Sequence, residues 1–136
     1  MRKKLEGQDP EKNFKTAPGG TYDIDFITGY LLVKHGVFDK SGTLRDRLWR
    51  CASAGFLEKR DAARLDHAAE LLRTVEHVVR LVVGRAWKWL PATEHARQIA
   101  EELTERILER SLADGLEAEL QRSCAEVRGI YERVLR

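Results

Sequence analysis

The sequence predicts an all-α protein, an antiparallel bundle of about five helices with one long central helix. Three observations carry this. Apolar residues recur at alternating spacings of three and four in every long segment. Only 3 prolines occur in 136 residues. Short Gly- or Pro-bearing breaks separate the periodic stretches, and such short connections favour antiparallel neighbours. A 43% hydrophobic and 34% charged composition fits a folded helical chain rather than a disordered one. At this length a compact fold removes roughly two thirds of the unfolded chain's surface from water, so one core can form without metal or disulfide.

Residues 1–17 mix Lys, Arg, Asp and Glu with few large apolar residues and no amphipathic period, and read as a flexible tail or linker; residues 18–136 form the helical domain. Pro18, Gly19 and Gly20 predict a turn. Thr21 or Asp23 is the expected cap of a first helix, with Ile24, Ile27 and Leu31 on its apolar face, joined by Phe26, Tyr30 and Val33, and Gly36 as its stop. Thr43 caps a second helix in which Leu44, Leu48, Cys51 and Ala52 share a face until Gly55.

The long helix begins near Asp61. Leu65, Ala68, Leu72, Val75, Val79 and Val82 form its seam. Residues 78–83 are rich in β-branched side chains, yet the seam passes through them in phase, so periodicity overrides strand propensity there. Pro91 and Thr93 break and recap the chain before a fourth helix with Ala96, Ile99, Leu103 and Ile107 inward. Asp114 and Gly115 make the next break. Leu116, Leu120, Cys124, Val127, Tyr131 and Val134 mark the fifth helix.

Several function classes are excluded. With 24 basic and 22 acidic residues the net charge is +2, which nominates no polyanionic partner. No apolar run approaches a membrane span, and no signal-peptide pattern follows Met1, so a cytoplasmic protein without a membrane partner is expected. Cys51 and Cys124 fit no ligand spacing, and read as thiols of a reducing compartment.

Four groups of residues invite chemistry. Asp23-Ile24-Asp25 is an Asp-x-Asp, a metal motif on a strand, where alternate side chains share a face. On a helix the two carboxylates diverge by about 200°, so no shared metal is expected. Either they cap the helix and complement its dipole, or Gly19 and Gly20 shape a corner that presents one of them to a ligand held elsewhere. Glu76 and His77 suggest acid–base work, against a solvated face in which Glu76 pairs with Arg80 for about 0.3 to 0.5 kcal/mol. Arg85, Trp87, Lys88 and Trp89 interleave cations with indoles that stack bases or cover a core. Both cysteines fall on apolar faces, which favours packing over nucleophilic chemistry.

The stretch Pro18-Gly19-Gly20-Thr21-Tyr22-Asp23-Ile24-Asp25-Phe26 resembles the PGGxRD-I-E-F signature of bacterial glutamate-ammonia-ligase adenylyltransferases, which modify glutamine synthetase. Arg73-Thr74-Val75-Glu76-His77, followed by Leu90 and Pro91, resembles the same family's RxVEH segment and its closing LP. Val127 to Val134 is similar to its last helix. The resemblance implies the helical domain that follows each nucleotidyltransferase core, related to that of PII uridylyltransferases.

On that basis the chain lacks the Gly-Ser and strand-borne Asp-x-Asp of the catalytic core. No residue is expected to be catalytic or to bind metal. Gly19, Gly20, Asp23, Asp25, Glu76 and His77 are implied to lie near substrate or nucleotide, with ATP and Mg²⁺ belonging to the full enzyme. The implied partners are a nucleotidyltransferase core and either glutamine synthetase or a PII protein. Tyr22, Asp25 and Gly29 stand where the family has Arg, Glu and Gln, and losing the Arg removes a phosphate-binding fork. The expected function is a helical accessory domain that orients substrate without acting alone. The rival is an interaction or dimerisation module; a nucleic-acid binder using residues 87–89 is disfavoured.

Overall fold

A computed structural model describes residues 13–37, 42–85, 87 and 89–135. Among them five helices and no strand occur: α1 (Thr21–Lys34), α2 (Leu44–Ser53), α3 (Lys59–Val83), α4 (Glu94–Leu108) and α5 (Leu116–Val134). The fold is all-α, as the periodicity predicts. α3 is the central element and packs against the other four helices, while α1 also contacts α2 and α5.

The expected seam of α3 is its core face. Leu65, Ala68, Leu72, Val75 and Val79 are buried, widened by Ala62, Leu71 and Val78. Gly84 then takes φ +87° and ends the helix. Thr43 caps α2 through a reciprocal pair: its Oγ1 accepts the Asp46 N–H at 3.1 Å and Asp46 Oδ2 accepts the Thr43 N–H at 2.9 Å. That contact holds the Asp46 carboxyl below its ordinary pKa. Thr93 caps α4 by accepting the Ala96 N–H at 3.2 Å.

Three expectations need correction. Neither Thr21 nor Asp23 is the N-cap of α1; Gly20 holds that position with no side-chain cap, and Asp23 reaches back from inside the first turn instead. On α4, Ile99 and Ile107 are exposed, and the helix buries Ala100 and Thr104. Small residues allow close approach to α3, and the Thr104 hydroxyl is satisfied on the Ala100 carbonyl at 2.7 Å. On α5 the deepest stripe is Leu116, Leu120, Ser123, Val127 and Ile130, with Cys124, Tyr131 and Val134 half-buried beside it.

The tail assigned to residues 1–17 lies partly outside the described residues, which begin at Asn13. Residues 13–17 form a turn against the bundle: Phe14 is 1% exposed and its ring lies 4.7 Å from that of Trp89. The Phe14 and Lys15 carbonyls accept the N–H groups of Thr21 and Tyr22, both at 3.0 Å. These bonds satisfy two donors at the start of α1 and fix the chain's entry into it.

Two long-range ion pairs tie α5 to the rest. Arg133 forks onto buried Asp61 at the start of α3, at 3.1 and 3.2 Å. Arg128 Nη1 approaches Asp23 Oδ2 at 3.4 Å. A guanidinium fork on a buried carboxylate fixes orientation as well as charge.

Candidate functional site

The Gly19–Asp25 corner is built by backbone geometry. Gly19 has φ +81°, and a Cβ there would overlap the Cys124 backbone carbonyl of α5. A Cβ on Gly20 would press on the Phe14 and Ala17 carbonyls. Both glycines therefore let α1 begin in close contact with α5 and the 13–17 turn.

The two carboxylates of the corner part company. Asp23 is fully buried; its Oδ2 accepts the Gly19 N–H at 2.6 Å and faces Arg128. Arg128 is itself placed over the Tyr131 ring, 4.6 Å from its centroid, and near Glu132 at 3.4 Å. Asp25 points away, with its side chain 47% exposed and 3.5 Å from Arg47 Nη2 of α2. Asp23 thus braces the corner from inside, and Asp25 is the acid that the corner offers to the surface. The divergence follows from the helical period.

The outer face of α1 is the feature that sequence reasoning blurred. Tyr22, Phe26 and Val33 are 47%, 52% and 49% exposed and, with half-buried Tyr30, form one stripe along the helix. Phe26 sits 6.3 Å from Tyr30 and 5.9 Å from Tyr131 of α5. The stripe lines a groove of about 720 Å³ together with Asp25, Gly29 and Lys34. A Cβ at Gly29 would meet nothing within 4 Å, so the missing side chain opens the groove at its middle.

Glu76 and His77 separate. Glu76 lines a second groove with Asn13, Phe14, Lys15, Arg80, Arg85 and Trp87, reached from the corner across the 13–17 turn. His77 is exposed and does not line it. The Glu76–Arg80 pair expected from their spacing is absent among the described residues, since no N···O approach within 4 Å joins them.

Trp87 and Trp89 both pack on the core, which supports their covering role; Lys88 lies outside the described residues. Cys51 is buried in the core, where loss of hydration pushes its thiol pKa up. Among the described residues no three His, Cys, Asp or Glu side chains cluster as metal ligands would, and no helix is long and apolar enough to cross a membrane.

Comparison with known proteins agrees with the motifs. The family model for the GlnD PII-uridylyltransferase matches residues 1–135. A bifunctional glutamine synthetase adenylyltransferase/adenylyl-removing enzyme of Streptomyces avermitilis is 31% identical over 142 residues, which is 98% of this chain and 14% of that protein. The like-named enzyme of Xanthobacter autotrophicus is 33% identical over 96% of the chain and 13% of its own length. The chain therefore spans about one seventh of the curated relatives it matches.

Proposed function

The chain belongs to the GlnD PII-uridylyltransferase family, and from that premise we propose that it is a helical accessory domain of a glutamine synthetase adenylyltransferase, one that positions substrate for a separate catalytic core. A cytoplasmic setting goes with this reading. The observation that carries it is the aromatic stripe of α1, which starts at the corner bearing the family-like motif. An exposed row of Tyr22, Phe26, Tyr30 and Val33 is the kind of face that a partner domain covers. Docking there would bring Asp25, on the same helix, to the edge of the partner's active site. Glu76, His77, Gly19 and Gly20 are the other positions that this reading sets near nucleotide or protein substrate.

The ATP and Mg²⁺ that the reading implies do not fit this chain's own acids. Asp23 is engaged by Gly19 and Arg128, and Asp25 stands beside Arg47, so the two carboxylates share no cation position. Nucleotidyl transfer would fall to the partner core, with glutamine synthetase or a PII protein as its protein substrate.

The test is to fuse the chain to the catalytic region of an adenylyltransferase and measure AMP transfer to glutamine synthetase, with the unfused catalytic region as reference. Transfer should rise on fusion, and Phe26→Asp should abolish the gain while leaving the helical circular dichroism unchanged, because Phe26 lies outside the core. A fusion indifferent to the chain or to Phe26→Asp would defeat the reading. The exposed stripe also suits the rival module: a concentration-dependent dimer of the chain, made monomeric by Phe26→Asp, would favour it.

A further inference from the structure

A second concave surface lies at the end of α3, apart from the stripe of α1. Lys15, Arg80 and Arg85, all exposed, line a groove of about 440 Å³ with Asn13, Phe14, Glu76 and Trp87. Three cations and one carboxylate give the groove a formal charge of +2. Among the described residues no carboxylate lies within ion-pair distance of Lys15, Arg80 or Arg85.

The cations come from three separate places: the 13–17 turn, the last turns of α3 and the segment after Gly84. Local structure constrains two of them. Asn13 Oδ1 accepts the Lys15 N–H at 2.9 Å, tightening the turn that carries Lys15. Arg85 lies over the Trp87 ring, 5.2 Å from its centroid, which limits its freedom. A concave wall focuses the field of such charges, and guanidinium forks match phosphate oxygens.

We propose that this groove binds a phosphate-bearing anion, either a nucleoside phosphate or a free polyphosphate, through Lys15, Arg80 and Arg85. The proposal does not rest on docking of a catalytic core to α1, because the ligand would bind the isolated chain. Phosphate oxygens take the cations. In a nucleoside phosphate, the Trp87 edge offers an apolar surface to the base and Glu76 an acceptor for a sugar hydroxyl.

The experiment is calorimetric titration of the 136-residue chain with ATP, AMP, tripolyphosphate and inorganic phosphate, alongside its tryptophan fluorescence. ATP should bind, more weakly at about 300 mM salt than at about 50 mM, since exposed charges are screened. Arg80→Glu and Lys15→Glu should each weaken it about tenfold or more, as loss of a charge-assisted contact implies. Both residues are exposed, and the two variants lie on different elements, so melting curves separate a binding loss from misfolding. Tripolyphosphate binding as tightly as ATP assigns the groove to free polyphosphate. Tighter ATP, with quenching lost in Trp87→Phe, assigns it to a nucleoside phosphate. No binding up to about 1 mM of any of the four, or an affinity unmoved by both charge reversals, overturns the proposal.

Discussion

Gly19→Ala tests the corner most directly. The substitution adds one methyl group at a residue with φ +81°, where a side chain costs about 1 to 2 kcal/mol in backbone strain alone. The new Cβ also overlaps the Cys124 carbonyl, so α5 or the start of α1 must move. Movement breaks the 2.6 Å bond from the Gly19 N–H to buried Asp23, and a hydrogen bond to a charged group contributes about 1.5 to 3 kcal/mol. Together these give a loss of about 2.5 to 5 kcal/mol. Gly36→Ala is the matched control: φ there is +77°, yet nothing lies within 4 Å of an added Cβ, so only the strain of about 1 to 2 kcal/mol applies.

The assay is urea unfolding followed by circular dichroism. With a slope of about 2 kcal/mol per molar for a domain of this size, the Gly19 variant should unfold about 0.8 to 1.5 M below the Gly36 variant. If the two unfold together, the contact between the corner and α5 contributes nothing, and the account of Gly19 is wrong.

Three further predictions concern stability. Leu72→Ala, at a core position 1% exposed, should cost about 2 to 5 kcal/mol, and an unchanged urea midpoint would remove α3's seam from the core. Asp23→Ala should cost about 2 to 3 kcal/mol, at or below the low end for breaking a buried pair because Arg128 is partly exposed, whereas Asp25→Ala should cost under about 1 kcal/mol. Equal losses from the two variants would contradict their opposite burial. Thr43→Ala should cost about 1 kcal/mol at neutral pH. Because the Asp46 pKa is depressed on folding, its contribution is present above the unfolded carboxylate value of about 3.9 and is lost as pH falls through the folded one. The penalty of Thr43→Ala should therefore shrink in acid, and a penalty independent of pH from about 7 to 2 would refute the reciprocal cap.

What the sequence made legible was local. The seam from Leu65 to Val79, the caps at Thr43 and Thr93, and the stops at Gly36 and Gly55 depend on neighbours within a turn or two, and the structure has each of them. Phe14 was illegible because its partner Trp89 lies far along the chain and its own surroundings are polar. Asp61 with Arg133 and Asp23 with Arg128 are separated by 72 and 105 residues, and no spacing rule announces such pairs. On α4 hydrophobicity pointed to Ile99 and Ile107, while close helix packing selected Ala100 and Thr104. For the site, the motif singled out Asp23 and Asp25 together, but only burial separates the brace from the exposed acid.

The same reasoning explains why α1 reads ambiguously. A helix apolar on one side belongs to a core, but α1 is apolar on two, with Ile24, Ile27 and Leu31 inward and Tyr22, Phe26 and Val33 outward. Periodicity alone merges the two faces. The Asp23–Arg128 contact and the approach of Gly19 to Cys124 both fix the beginning of α1 against α5, so the rotation of α1, and with it the direction of the outer stripe, is set from the corner. The 13–17 turn, bonded to the first turn of α1, sets Lys15 at the basic groove through the same anchor. Thus the motif that looks like a metal site contributes through the backbone and through Asp23, by aligning two surfaces that lie outside it.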